Sequence, residues 1–170
     1  MFNGIVTIKG STSDTLIALH SKDLMIESVT VDGKAAAFEA RNNDELYIRH
    51  DDIIAGTHIV VIAFSGNITD AMHGLYPCYF EHDSVKKELL ATQFESHHAR
   101  EVFPCVDEPE AKATFDVTLT TEQDVVVLGN MPVLPQRVEN EPLVTTFQTP
   151  QKESVYHRQG VVGAFSQKTA

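Results

Sequence analysis

Leu24-Met25-Ile26-Glu27-Ser28-Val29-Thr30-Val31 is a run of strand-forming residues closed by Asp32-Gly33, among the strongest short-range hairpin signals a sequence can carry. The same texture recurs on either side of it. Phe2–Lys9 and Thr15–His20 precede the run. Ala35–Ala40, Glu45–His50 and His58–Phe64 follow, with Asn42-Asn43-Asp44 and Ala55-Gly56-Thr57 as the turns between them. Strands that succeed one another directly, with little helical periodicity, predict an all-β chain folded as an antiparallel β-sandwich.

Further along, Tyr76–Phe80 is expected to form a hairpin with Glu88–Phe94, turning near His82-Asp83-Ser84. Helical propensity in Lys86-Lys87-Glu88-Leu89-Leu90 is the competing signal. Ser96–Phe103 is expected to be one short helix, ended by Pro104. Phe115–Thr121, Val125–Leu128 and Leu143–Thr149 resume strand patterning, the middle run apolar enough for a buried position. No repeat, low-complexity tract or Pro- or Ser-rich linker divides the 170 residues, so the chain is read as a single domain, 1–170.

Charge narrows the partners. With 24 acidic and 13 basic side chains the net charge is −11, which gives no footing on a phosphate backbone or an anionic lipid surface. No nucleic acid or membrane partner is expected. The longest apolar run, Ile59–Phe64, is far shorter than the roughly 20 residues a membrane-crossing helix needs. Met1-Phe2-Asn3-Gly4 opens without the basic and apolar regions of a secretory leader, which points to the cytoplasm. Cys78 and Cys105 are too few for a disulfide framework and are read as buried free thiols.

Simple catalytic patterns do not occur. Eight histidines include no pair at i and i+4, the spacing of a helical zinc site, and His97-His98 are expected to point apart on a helix. No metal ligands are therefore assigned to this chain. There is no G-x-S-x-G elbow, no G-x-G-x-x-G and no Walker pattern, and the neighbours of Cys105, Phe103-Pro104 and Val106, suit burial rather than nucleophilic chemistry.

One ordered series stands out: Ala91-Thr92-Gln93-Phe94-Glu95, Ala99-Arg100, Phe103-Pro104-Cys105, Asp107-Glu108-Pro109 and Lys112-Ala113-Thr114-Phe115, followed by Asn130-Met131-Pro132. Together these resemble the N-terminal β domain of the aminopeptidase N family of zinc metallopeptidases (gluzincin aminopeptidases), with weaker similarity at Phe2-x-Gly4 and Gly74-Leu75-Tyr76. The resemblance implies a saddle-like β domain that caps a catalytic domain. The complete enzyme removes N-terminal residues from peptides with zinc as cofactor. By motif position, Glu95 is implied to bind the peptide's free α-amino group and Gln93 to line the pocket for the first side chain. An ammonium entering a site that excludes water needs a carboxylate partner. The ordinary alternatives are an exposed strand-end carboxylate and a glutamine that satisfies loop backbone. Arg100, Asp107 and Glu108 are read as structural, the two carboxylates capping backbone amides and pairing with Arg100 to hold the loop that positions Glu95.

In the family, the H-E-x-x-H helix with its downstream glutamate and the G-x-M-E-N motif belong to a later domain, and neither motif occurs here. The resemblance therefore implies a substrate-capping domain that is inactive alone and whose partner is the catalytic zinc-peptidase domain. The alternative is a stand-alone β-sandwich binding module. Ser154, Tyr156, Val161-Val162-Gly163 and Phe165 match the family's S-x-Y…V-V-G-x-F strand, but His157-Arg158-Gln159-Gly160 stands where that strand is normally apolar. Burying such groups without partners costs several kcal/mol, so the tail, 150–170, is expected to dock abnormally. The strand that usually precedes Phe2 also has no counterpart, so the chain is expected to be truncated at both ends, with an open sheet edge.

Overall fold

A computed structural model describes residues 1–138 and 142–163. The chain is dominated by antiparallel strands, as expected, and it forms two compact units, each discontinuous in sequence. The first comprises Met1–Ile68 with His97–Asp107, the second Thr69–Ser96 with the residues from Glu108 onward.

Strands β1 (Phe2–Thr12), β2 (Leu16–His20), β3 (Met25–Val31), β4 (Lys34–Ala35), β5 (Ala37–Arg41), β6 (Glu45–Arg49) and β7 (Gly56–Gly66) belong to the first unit. They make two sheets, ordered β1-β7-β3-β4 and β2-β6-β5. Leu19, Val29, Val31, Leu46, Ile48, Val60 and Ile62, drawn from both sheets, form one buried cluster with Ile53 of the β6–β7 connection, the signature of two layers packed face to face. Each such side chain contributes about 1.5–3 kcal/mol by leaving water. The Phe2-x-Gly4 pattern has a packing cause. Phe2 pairs with Gly66 and Gly4 with Phe64, and each phenyl ring lies over the opposing glycine. A Cβ on Gly4 would stand 2.7 Å from the Phe64 ring, and one on Gly66 would stand 2.5 Å from Phe2, so the two rings lock the register of β1 on β7.

Ala35–Ala40, expected as one strand, is two. β4 pairs with β3 in one sheet and β5 with β6 in the other, and Ala36 between them donates its N–H to the Val29 carbonyl at 3.0 Å. The strand texture of both halves hid the corner. Asp32-Gly33 turns β3 into β4 with φ of 50° and 81°, as a two-residue hairpin loop of this hand requires.

His58, buried at the start of β7, closes the same corner. Its Nδ1 lies 2.7 Å from Asp32 Oδ2 and its Nε2 lies 2.8 Å from the Ile54 carbonyl. Both partners can only accept, so both ring nitrogens donate and the imidazolium form is favoured. The Ile54 carbonyl first, and the Asp32 carboxylate next, raise the His58 pKa above its ordinary 6.5. The Ile59 N–H and then His58 lower that of Asp32.

In the second unit, β8 (Gly74–His82) and β9 (Val85–Gln93) form the expected hairpin, joined by Asp83-Ser84. With β10 (Thr118–Thr121), β11 (Val126–Gly129), β12 (Arg137–Val138), β13 (Leu143–Thr146) and β14 (Gly160–Gly163) they make two sheets, β11-β14-β9-β8 and β10-β13-β12. Two expected strands are shorter than their patterns: 115–117 and 147–149 lie outside β10 and β13. The expected helix at 96–103 reduces to a single 3₁₀ turn, Ala99–Glu101. His97 and His98 precede that turn rather than ride on a helix. Their rings therefore do not point apart; they stack with centroids 4.7 Å apart.

Two outcomes are expected from these local features. Ser84 sits at φ 60°, a conformation that costs an L-residue about 1–2 kcal/mol, so Ser84→Gly should stabilise the hairpin. Part of the gain is lost to glycine's greater freedom when unfolded, which leaves roughly 0.5–1 kcal/mol, measurable as a higher urea midpoint. The raised His58 pKa stabilises the fold fully below about pH 6.5, and that stabilisation is lost as pH rises through the folded-state value. Wild-type stability should accordingly fall between about pH 6 and pH 9 by more than that of His58→Gln, read from urea melts at each pH.

Candidate functional site

β9 carries the T-Q-F-E series. Its last residue, Gln93, pairs with Gly74, and Thr92 pairs with Leu75. On the other flank β14 runs antiparallel to β9, with Val161 opposite Ala91. The Thr92 hydroxyl accepts the Gly160 N–H at 2.8 Å, so this threonine fixes where β14 joins. Phe94 is buried immediately beyond the strand, and Glu95 is exposed. Half-buried Gln93 turns its Oε1 back to accept the Glu95 N–H at 3.4 Å, the loop-satisfying role that glutamines often take at strand ends. No described residue pairs with the Glu95 carboxylate.

The polar tail beside β9 is provided for. Val155–His157 is a 3₁₀ turn capped by the Ser154 hydroxyl, not a buried strand. Arg158 is buried, with Nε 3.1 Å from Glu153, Nη2 donating to the Phe115 carbonyl at 3.1 Å, and the guanidinium over the Phe115 ring. Burial lowers the Arg158 pKa, and the Glu153 and Asp116 carboxylates oppose that shift. Asn130 of the N-M-P series donates to the His157 carbonyl at 2.7 Å and accepts the Gln159 N–H at 2.6 Å. Sequence reading missed these roles: the bonds of Asn130 and the Arg158–Phe115 contact join residues far apart in the chain, and Glu153, five residues before Arg158, carried no signal of its own. Phe165 and the end of the tail, 164–170, lie outside the described residues.

Arg100 and Asp107 meet in the first unit. Asp107 is 1% exposed, and its Oδ2 accepts the Arg100 Nε at 3.0 Å and the Arg100 N–H at 3.2 Å. Arg100 Nη2 also donates to the Asp107 carbonyl at 3.3 Å. His20 at the end of β2 receives this loop, accepting the Asp107 N–H on its Nδ1 at 3.1 Å and bonding Cys105 through both backbone groups at 2.7 and 3.1 Å. The Lys22 N–H donates to the Arg100 carbonyl at 2.9 Å. Glu108, exposed, begins a turn in which its carbonyl accepts the Ala111 N–H at 3.0 Å. Cys105 is buried and free, its thiol pKa pushed up by burial and then by the Asp107 carboxylate, so it is a poor nucleophile. Cys78 is also free but only half-buried.

The 170 residues contain no H-E-x-x-H. Among the described residues no helix is long and apolar enough to cross a membrane.

The model of the peptidase M1 N-terminal domain matches residues 1–157. The chain belongs to the peptidase M1 N-terminal domain family. It is 44% identical to aminopeptidase N of Lactococcus lactis subsp. lactis over 99% of its length, and 45% identical to aminopeptidase N of Lactobacillus delbrueckii subsp. lactis over 82%. It is also 33% identical to aminopeptidase M1 of Arabidopsis thaliana over 96% of its length. The chain spans 20%, 16% and 20% of those three relatives. In this M1 domain the A-R and D-E-P series therefore has a physical reading: Ala99, Pro104, Cys105 and Asp107 are the buried face of an anchored loop, and Arg100 neutralises its carboxylate.

Removing one member of a buried ion pair strands the other charge, at a cost of about 3–5 kcal/mol. Arg100→Ala should lower unfolding free energy by that amount, measured in urea. Arg100→Lys should recover only part of it, because an ammonium lacks the planar fork that reaches both the side chain and the backbone of Asp107.

Proposed function

We propose that residues 1–170 serve as one N-terminal, substrate-facing β domain of a cytoplasmic zinc aminopeptidase, and that Glu95 binds the free α-amino group of the peptide. The observation that carries this reading is the exposed Glu95 carboxylate, unpaired among the described residues and set in the turn two residues past a strand whose register is held on both flanks. A fixed carboxylate with no internal cation is poised to take an ammonium group from outside. Gln93, two residues earlier, lines the pocket for the first side chain, and its bond to the Glu95 N–H couples the two residues. The partner is the catalytic zinc-peptidase domain. The metal and the attack on the peptide bond belong to that domain, because the H-E-x-x-H pattern is not among these 170 residues.

Support comes from the family membership and from the alignment of the T-Q-F-E series with the end of β9. The test is to combine the chain with a separately expressed catalytic domain and measure release of an N-terminal residue. Glu95→Ala should lower kcat/KM for free-amine peptides about tenfold to a hundredfold, as expected for losing a charge-assisted hydrogen bond of ~1.5–3 kcal/mol. Glu95→Gln, which keeps an acceptor without the charge, should fall between. Unchanged kinetics in Glu95→Ala would sink the assignment.

A further inference from the structure

Asn130, which opens the N-M-P series, follows β11 and is exposed. The pairing of β11 with β14 ends at Gly129 opposite Gly160, and just past that point the Asn130 carboxamide takes over. Its Nδ2 donates to the His157 carbonyl at 2.7 Å and its Oδ1 accepts the Gln159 N–H at 2.6 Å. One side chain thus supplies both the donor and the acceptor of a peptide group. The next residue, Gly160, is gripped from β9. Its N–H donates to the Thr92 hydroxyl at 2.8 Å, and its carbonyl lies 3.5 Å from the same hydroxyl. Because β14 stands between β11 and β9, the segment 157–160 is bound to Asn130 on one flank and to Thr92 on the other. Among the described residues no strand pairs with Gln93 on the β14 flank, where the register stops at Val161 opposite Ala91. Thr92 is therefore the last grip on that flank ahead of Gln93, whose Oε1 accepts the Glu95 N–H at 3.4 Å.

We propose that Asn130 is a positioning residue for amine binding: by holding 157–159 it seats Gly160 on Thr92 and so fixes the end of β9 just ahead of Gln93 and Glu95. The proposal rests on the reading of Glu95 as the carboxylate that takes the amine, and it names the residue that keeps that carboxylate in place. A strand end with few buried contacts and exposed hydrogen bonds opens locally at little cost in free energy. A restraint one residue before Gln93 therefore matters more than the same restraint in mid-strand. Asparagine suits the task because it offers a donor and an acceptor together, whereas aspartate would keep only the acceptor. Being exposed, Asn130 can be replaced without opening a hole in the core.

The test measures kcat/KM for free-amine peptides with the chain and the catalytic domain combined. Asn130→Ala should lower it about threefold to tenfold with an unchanged circular dichroism spectrum, because slight displacement of a binding group slows turnover steeply. Thr92→Val, which loses the hydroxyl at nearly the same volume, should do likewise, and Thr92→Ser, which keeps it, should match the wild type. Asn130→Asp should fall between wild type and Asn130→Ala. Coupling separates positioning from general support of the fold: Asn130→Ala added to Glu95→Ala should cause no further loss, since its effect runs through Glu95. In the 170-residue chain alone, the Gln93 and Glu95 amide resonances should shift in Asn130→Ala. Wild-type kinetics in Asn130→Ala, unmoved resonances at Gln93 and Glu95, or full additivity with Glu95→Ala each overturns the proposal and leaves the reading of Glu95 standing. Wild-type kinetics in Glu95→Ala removes that reading, and the proposal falls with it.

Discussion

A carboxylate moved out of water must be met by donors, and at Asp107 the donors are the side chain and backbone N–H of Arg100. The first unit depends on this pairing because it is built from two stretches of chain separated by 28 residues that belong to the second unit. Only the loop 97–107 closes that gap. It is held at its start by the Lys22 N–H on the Arg100 carbonyl and at its end by His20, so charge and main-chain bonds act on the same few residues. Motifs that look catalytic on paper, an arginine near carboxylates and a cysteine near histidines, are here parts of a fastening.

The side chain proposed to bind the amine has the opposite character. Glu95 is exposed where Asp107 is buried, and unpaired where Asp107 is clamped. Positioning comes from the strand before it: Thr92 ties β9 to β14, Gln93 pairs with Gly74, and Phe94 is buried just past the strand end. A rigid scaffold that ends in one free carboxylate is a sound way to hold a charge ready for a ligand without spending it inside the fold.

Much of this was legible in the residues. Asp32-Gly33 announced its hairpin because a two-residue loop of this hand needs positive φ, which few residue types tolerate, whereas Asp83-Ser84 makes the same turn with a serine that gives no such signal. The sheet change at Ala36 carried no such signal, since both halves keep strand texture and only a tertiary bond to Val29 marks the corner. The stacked His97 and His98 were misjudged by assuming helical geometry for a segment that completes only one 3₁₀ turn. The polar run at 157–159 looked too costly to bury, yet only Arg158 is buried, against Glu153 five residues earlier and Phe115 from far back in the chain, while His157 and Gln159 are exposed. Glu95 is singled out only by its place in an ordered series, not by any property of a lone glutamate.

The interrupted first unit also constrains how the chain acquires its shape during synthesis. His20 meets Cys105 and Asp107, the latter across 87 positions, so its last clasp cannot close until residue 107 has left the ribosome. By then the β8–β9 hairpin has long been available to form, since its contacts are local and form far faster than loops of that span. Until that moment the nascent first unit must wait with the end of β2 uncovered. Premature termination between residues 68 and 97 would leave it in that state.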